Sequence, residues 1–202
     1  MSSLLMADPK PLLRSEMKRR RAGLATAQPL AGDQLAQAVE TGIEALGKWP
    51  DAGAIIAGYW PIQSEINPFP LMQMFEDRGY PLALPCLVPL EAGGFSMIFR
   101  RFRIGDTLIH GPFDIRQPLD EADIVDPDVL LMPLLAFDIT GVRLGYGGGY
   151  YDRVLADLRA RRPVKAWGMA FSGQQLAEAP FDVHDQKLDD VLTEQGVVEV
   201  RS

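Results

Sequence analysis

Hydrophobic and polar positions along the chain recur with two periods, near 3.6 and near 2, and the switches between them mark the elements. Asp8-Pro9 reads as a helix start, an acid at the N-cap and a proline at the first helical position. From there Leu13, Met17 and Leu24 face inward, while Lys10, Arg14, Lys18 and Arg21 share another face. Leu35, Val39, Ile43 and Leu46 form the apolar stripe of a second helix. Residues 53–60 (GAIIAGYW) predict a buried strand; Asn67-Pro68 opens a helix through Asp77 that Gly79 stops, and 80–84 is the next strand. Strands follow at 95–102, 129–135, 164–170 and 197–200. A helix is expected at 150–161, with Tyr151, Leu155 and Leu158 inward, and a short one at 174–179. Residues 103–127, with Gly105, Gly111, Pro112 and Pro118, read as irregular connection. Strands alternating with helices predict an α/β fold: a single domain over 1–202, with an open, mainly parallel sheet and helices on both faces, Rossmann-like and three-layered.

Composition narrows the classes. At 47% hydrophobic and 23% charged, the chain matches globular usage and argues against extended disorder. A lone cysteine, Cys86, excludes an internal disulfide and a cysteine-cluster zinc site, and two histidines, His110 and His184, make a multi-histidine metal site hard to assemble. The uncharged apolar runs 82–90 and 129–137 reach about half a membrane crossing, and both contain proline. Lys10, Arg14 and Lys18 to Arg21 interrupt the early leucines, so no signal-peptide core is read and a cytoplasmic protein is expected. No strongly apolar surface helix demands a partner, and a monomer is expected.

Charge is unevenly placed. Residues 1–30 are net positive, with Lys10, Arg14, Lys18, Arg19, Arg20 and Arg21 against Asp8 and Glu16, on a chain of net charge −7. Such a body repels a long polyanion, so nucleic acid is not expected as a partner. The basic helix is either a solvated face or a contact for something small.

The chemistry concentrates in 138–153, D-I-T-G-V-R-L-G-Y-G-G-G-Y-Y-D-R, between a buried strand and an amphipathic helix. Glycines there permit positive φ and close approach of a ligand to the main chain. Successive amides ahead of a helix N-terminus form an anion cradle, and such crevices lie at the carboxyl ends of parallel strands. The run lacks the lysine and hydroxyl of a P-loop and the last glycine of a dinucleotide fingerprint. Asp152 reads either as a first-turn acid favoured by the helix dipole or as a magnesium ligand beside phosphate oxygens. Arg143 can neutralise phosphate. Together they suit a nucleoside triphosphate with magnesium.

These residues resemble the 5-formyltetrahydrofolate cyclo-ligase family, also called methenyltetrahydrofolate synthetase. The strand MPLLAFD (132–138) is similar to the family's strand ending in proline-glycine-x-x-phenylalanine-aspartate, and Gly141 with 143–152 to its glycine-rich tyrosine-tyrosine-aspartate signature. Lys10-x-x-x-Arg14 resembles the N-terminal helix, YWPIQSEI (59–66) the first strand and substrate loop, and Leu84-Pro85 the end of the next strand. Residues 111–118 resemble the connecting loop, and His184-Asp185 with Leu188-Asp189 the C-terminal pattern. The chain departs from the family at Pro133-Leu134, at Asp114 where glycine is expected, and at Tyr146 and Gly148, where relatives can carry basic residues.

The resemblance implies ATP- and magnesium-dependent closure of 5-formyltetrahydrofolate to 5,10-methenyltetrahydrofolate, releasing ADP and phosphate. It implies ATP contacts from Lys10, Arg14, Arg143, Leu144, Gly145, Tyr146, Gly147, Gly148, Gly149, Tyr150 and Tyr151, and magnesium contacts from Asp152 and Asp189. Trp60 and Glu65 would meet the folate, with Tyr146 and Tyr150 where nucleotide and folate approach, and Arg143 and Tyr150 nearest the chemistry. On the residues alone, Trp60 reads equally as core, Glu65 as a turn acid and Asp189 as half of an exposed pair with Asp190. An isomerase or acyl-transferase on a similar sheet, and a non-catalytic folate- or RNA-binding module, are the rival readings.

Overall fold

The computed structural model describes residues 10–201; the helix start expected at Asp8-Pro9 lies outside them. Along the chain come α1 (Lys10–Ala27), α2 (Ala31–Leu46), β1 (Ile56–Ala57), α3 (Phe69–Asp77), β2 (Leu82–Pro89) and β3 (Phe95–Phe102). They are followed by β4 (Leu108–His110), β5 (Arg116–Pro118), β6 (Val129–Pro133), β7 (Ala136–Phe137), β8 (Arg143–Leu144) and α4 (Tyr150–Arg161). Strands β9 (Lys165–Met169), β10 (Asp190–Thr193) and β11 (Gly196–Glu199) complete the order.

The main sheet runs β11-β10-β9-β6-β1-β2-β3. Its five inner strands are parallel, and the edges β3 and β11 are antiparallel to their neighbours. Alternation along β6 shows how both faces are covered: Val129 and Leu131 join Leu35, Val39 and Ile43 of α2 and Leu71 and Phe75 of α3, whereas Leu130 and Met132 join Leu155 and Leu158 of α4. A near-continuous apolar strand is what a sheet buried on both sides requires. A smaller cluster seats α1 across one end of the sheet, with Met17 against Leu135, Ala136 and Leu144.

Several expectations are corrected. Leu46, at the last turn of α2, is exposed, because the stripe of Leu35, Val39 and Ile43 ends where Gly47 turns the chain into the left-handed region. Residues 103–127 are not simply irregular: β4 and β5 pair as a hairpin, anchored to β2 by the buried Gln117, whose Oε1 accepts from the Leu87 amide at 3.2 Å. The short helix expected at 174–179 is absent; a 3-10 turn covers Ser172–Gln174 instead, in which the Gln174 side chain accepts from the Phe171 amide at 2.8 Å. Strand β10 was not expected; its central Val191 and Leu192 are flanked by Asp190, paired with Lys48 at 2.7 Å, and by Thr193, so its buried polar ends hide the strand pattern. Arg21 lies on the buried side of α1, only 1% exposed, not on a solvated face.

The β7–β8 hairpin turns at Gly141, whose φ is +81° and whose missing Cβ would sit 2.6 Å from the Leu188 carbonyl oxygen. Only glycine fits both the backbone and the space. Gly141→Ala is expected to cost about 2 kcal/mol, a drop of roughly 4–8 °C in Tm for a chain of this length; an unchanged melting curve would contradict this.

Candidate active site

The strand order reverses between β1 and β6: the chain leaves β1 towards β2 on one side and returns to β6 on the other. The carboxyl ends of two such strands splay, and the crevice beyond them is where ligands bind in open α/β sheets. A cavity of about 450 Å³ occupies this place. After β1 the chain supplies Tyr59, Trp60, Ile62 and Glu65 to its wall; after β6 it supplies Pro133 and then 143–152. Lys10 and Arg14 of α1 and Phe113, Ile115 and Gln117 of the β4–β5 hairpin close the sides.

The glycine loop is shaped by two left-handed residues, Gly147 at φ +99° and Gly149 at φ +65°. A Cβ on Gly147 would lie 3.2 Å from the Arg14 guanidinium carbon, so α1 packs directly on the loop. Arg14 Nε donates to the Gly145 carbonyl at 3.0 Å, and Lys10 Nζ pairs with Asp185 at 2.9 Å. Helix α4 begins at Gly149 with no side-chain cap, which leaves its first amides for a ligand.

Arg143 sits beneath the loop, its side chain 4% exposed. Its Nη2 donates to Asp152 Oδ1 at 2.8 Å, and its Nε is buried with no hydrogen-bond partner. Burial lowers its pKa, and Asp152 and Asp185 oppose that shift. A buried, unsatisfied guanidinium N–H costs about 1–3 kcal/mol. Asp152 Oδ1 also accepts the Gln186 amide at 2.9 Å, and Oδ2 takes part in neither bond.

Tyr150 opens α4 with Arg153 stacked over its ring at 5.0 Å and Phe113 at 6.5 Å. Trp60 is half-buried, edge-on to Phe69 at 5.3 Å, with the Arg116 guanidinium over its ring at 5.9 Å. Glu65 has a side chain only 3% exposed, with Oε2 accepting the Ile62 amide at 2.9 Å. Burial pushes its carboxyl upward, while the Ile62 amide, the Arg21 guanidinium and the Tyr146 hydroxyl draw it back. Burial likewise pushes the Tyr146 hydroxyl up to about 12 and raises Tyr151 further.

Lys10, Arg14, Trp60, Glu65, Arg143, residues 144–151 and Asp152 therefore meet in one cavity. Asp189 does not join them. It lies at the amino end of the parallel strands, in a separate hollow with Asp128, Arg159 and Lys165. There its carboxylate is bound by Arg159 at 2.7 Å and by the Ala166 amide at 2.7 Å, so it is a structural clamp on β9. Asp185 takes a place at the cavity instead. Among the described residues no cluster of three or more histidine, cysteine, aspartate or glutamate side chains could hold a metal by itself.

Sequence reasoning did not nominate Arg21, Phe113, Gln174 or Asp138. For Arg21 a signal existed: it falls at the same helical step as Leu13, Met17 and Leu24. Phe113, 66% exposed at the cavity rim, adopts φ +60°, and Asp114 follows at +59°, the left-handed backbone that explains why glycine suits that loop. Gln174 Nε2 donates to the Leu134 and Leu135 carbonyls at 2.9 Å each, fixing the end of β6.

What these features define is an α/β protein with an anion cradle at its switch point and aromatic side chains lining the same cavity. The model of the 5-formyltetrahydrofolate cyclo-ligase family matches residues 7–194. A 5-formyltetrahydrofolate cyclo-ligase of Mycolicibacterium smegmatis is 32% identical over 169 residues, covering 78% of this chain and 85% of that one. Its Escherichia coli K12 counterpart is 33% identical over 150 residues, covering 71% and 80%. The solved structure of Aquifex aeolicus 5,10-methenyltetrahydrofolate synthetase superposes with a TM-score of 0.74 at 29% identity, over 96% of this chain and 94% of that one. A Mycoplasma pneumoniae synthetase shares the fold with a TM-score of 0.67 at 23% identity. The chain belongs to the 5-formyltetrahydrofolate cyclo-ligase family and is an enzyme of that class.

One carboxylate ties the glycine loop's approach to the rest of the fold. Asp138, 3% exposed, accepts the Thr140, Val142 and Ala179 amides at 2.8, 3.3 and 2.9 Å. Burial alone would raise its pKa, but these donors outweigh burial and hold it below the usual carboxylate range. Its stabilisation is therefore complete above the unfolded value near pH 4 and is lost as pH falls towards the folded value. Asp138→Asn should cost about 1.5–3 kcal/mol at neutral pH. Denaturant melts of both proteins should converge on acidification below about pH 4; a pH-independent difference would refute this.

Proposed function

We propose that this chain closes 5-formyltetrahydrofolate to 5,10-methenyltetrahydrofolate at the expense of ATP, releasing ADP and phosphate, in this cavity. The observation that carries the reading is Arg143: a buried guanidinium with an unpartnered Nε, set where the glycine loop and the uncapped start of α4 converge. Such a group suits a triphosphate, and the aromatic side chains Tyr59 and Trp60, supplied to the same cavity by the chain after β1, suit a flat ring system.

The residues also fit magnesium arriving on the nucleotide. Magnesium at phosphate sites takes one or two carboxylates and otherwise phosphate oxygens and water. Asp152 lines the cavity and its Oδ2 is in neither of the bonds made by Oδ1, so Asp152 would hold the ion. When bound, the ion supplies charge neutralisation on the phosphoryl groups.

In the chemistry proposed, the formyl oxygen bonds to the γ-phosphorus as the bond to the ADP oxygen breaks. N10 then bonds to the activated carbon and gives up its proton, and the formyl oxygen leaves as part of phosphate. The transfer needs no protein nucleophile. Arg143, Lys10, Arg14 and the amides of 145–149 would hold the phosphoryl charge in place, and Tyr150 would stand between the two substrates. Glu65 would accept hydrogen bonds from the pterin. We read residues 1–202 as one catalytic domain, acting as a cytoplasmic monomer on small molecules. The net charge of −7 argues against nucleic acid, and no described helix is long and apolar enough to cross a membrane.

Purified protein with magnesium-ATP and 5-formyltetrahydrofolate should produce the near-ultraviolet band of the methenyl product with matching ADP. The band should be absent without ATP. Asp152→Ala and Arg143→Lys should each lower kcat about 100-fold or more while the protein stays folded. Tight folate binding without ADP release would favour the binding module and overturn the catalytic reading.

A further inference from the structure

Arg21 lines no part of the cavity, yet it is among the most deeply buried large side chains of the chain. Its donors reach three separate segments. Nε donates to Ser64 Oγ at 3.1 Å and Nη1 to the Leu134 carbonyl at 3.3 Å, while Nη2 makes a short hydrogen bond to the Tyr146 hydroxyl. Nη1 also pairs with Glu65 Oε1 at 3.8 Å, and the guanidinium lies over the Tyr146 ring at 5.3 Å. Because the Tyr146 oxygen accepts from Arg21, its proton remains to be donated, and Glu65 is the carboxylate beside it.

An ion pair this deeply buried is a poor way to gain stability, since an apolar pair of the same volume often does as well or better. What it does supply is a charge state and an orientation. A carboxylate facing a reduced pterin must be an acceptor on both oxygens, because the pterin presents an amide N–H and an amine N–H side by side. A neutral carboxyl would meet one of those donors with its own proton.

We propose that Arg21 is a positioning residue for the folate half of the reaction: through Glu65 and Tyr146 it keeps the Glu65 carboxylate ionised and fixed for the pterin's paired N–H donors. The inference rests on the reading of Glu65 as the folate-facing carboxylate. The groups facing Glu65 are Arg21 from α1, Tyr146 from the glycine loop, Tyr59 from the chain after β1 and Tyr151 from α4. Burial holds the three tyrosines in their neutral form, so among these groups the opposing charge comes from Arg21. Removing that charge favours the protonated form of Glu65 and moves its titration to higher pH.

The test is the pH profile of kcat/KM for 5-formyltetrahydrofolate in wild type, Arg21→Met, Arg21→Lys and Glu65→Gln, at saturating magnesium-ATP. Arg21→Met should shift the acid limb upward by about one pH unit or more, a tenfold loss on that limb that recovers as pH rises. Arg21→Lys should return the limb towards wild type, and KM for ATP should change less than about twofold in each. An Arg21→Met limb that coincides with wild type overturns the proposal, as does a loss that is uniform across pH. Should Arg21→Met not fold, the infrared difference spectrum between wild type and Glu65→Gln at neutral pH decides: an ionised carboxylate band is expected, and a neutral carboxyl band refutes the role. Glu65→Gln with undiminished kcat/KM for the folate would instead remove the reading of Glu65 itself.

Discussion

A guanidinium cannot be taken out of water cheaply; the penalty is several kcal/mol even after relaxation, and it is met only if nearly every N–H finds an acceptor. In this chain the Arg21 guanidinium satisfies that constraint by drawing acceptors from the loop after β1, the end of β6 and the glycine loop. The loop after β1 is far in sequence from the other two, and the side chains of Ser64 and Tyr146 lie outside the β1–β6 and β7–β8 ladders that join the flanking strands. One buried cation ties all three to a common point. Leu134 is held from both sides, its carbonyl accepting from Arg21 and from Gln174, so the end of β6 is fixed before the glycine loop begins.

The sheet topology explains why this point becomes a site. Reversal between β1 and β6 leaves the crevice open at their carboxyl ends, and α1 seats Met17 on Leu135, Ala136 and Leu144 beside it. The two walls then differ in chemistry for reasons set by their elements. The wall after β6 ends in tight glycine turns and an uncapped helix start, which present main-chain amides. The wall after β1 is an extended segment ending a buried strand, and it presents large side chains such as Tyr59 and Trp60. A charged, flexible phosphate chain and a flat ring system need those two surfaces at close quarters.

Local pattern carried most of this fold into view. Periodicity placed α4 at Tyr150–Arg161 and β3 at Phe95–Phe102, since apolar spacing and flanking glycines agree there. Pattern failed where a tertiary partner overrides local preference. Strand β10 begins and ends with buried polar residues, Asp190 held by Lys48 and Thr193 by the Gly196 carbonyl, and neither partner can be inferred from spacing. The β4–β5 hairpin depends on Gln117 and on two non-glycine residues in the left-handed region, a conformation that composition does not announce. The glycine-rich run was legible because glycines, an arginine and a first-turn acid have local reasons to stand together. Asp189 entered only through the family resemblance, and local sequence does not show that the chain between Asp185 and Asp189 passes from the cavity to the amino end of the sheet. Arg21 was misplaced because charge was weighed ahead of position: a cation at the third place of the stripe Leu13, Met17, Arg21, Leu24 is buried by its neighbours whatever its own preference.

The same helix holds its cations in two regimes, and the difference bears on how such a site would be filled. Lys10 and Asp185 are partly exposed, at 15% and 23%, and a pair of that kind is worth about 0–1 kcal/mol. Arg14 donates through its Nε to a single carbonyl, that of Gly145. Phosphate oxygens offer both residues stronger, charge-assisted acceptors at little loss, so in the proposed reaction they are the cations able to follow a nucleotide as it enters and leaves. Arg21 has no such freedom. Displacing it would leave the buried Glu65 carboxylate without its opposing charge and remove the Ser64 and Tyr146 hydroxyls' shared donor, at a cost several times greater. One helix thus combines a fixed anchor at Arg21 with exchangeable charges two to three turns earlier, and the order of those residues along α1 puts the rigid end beside Glu65 and the adaptable end over the glycine loop.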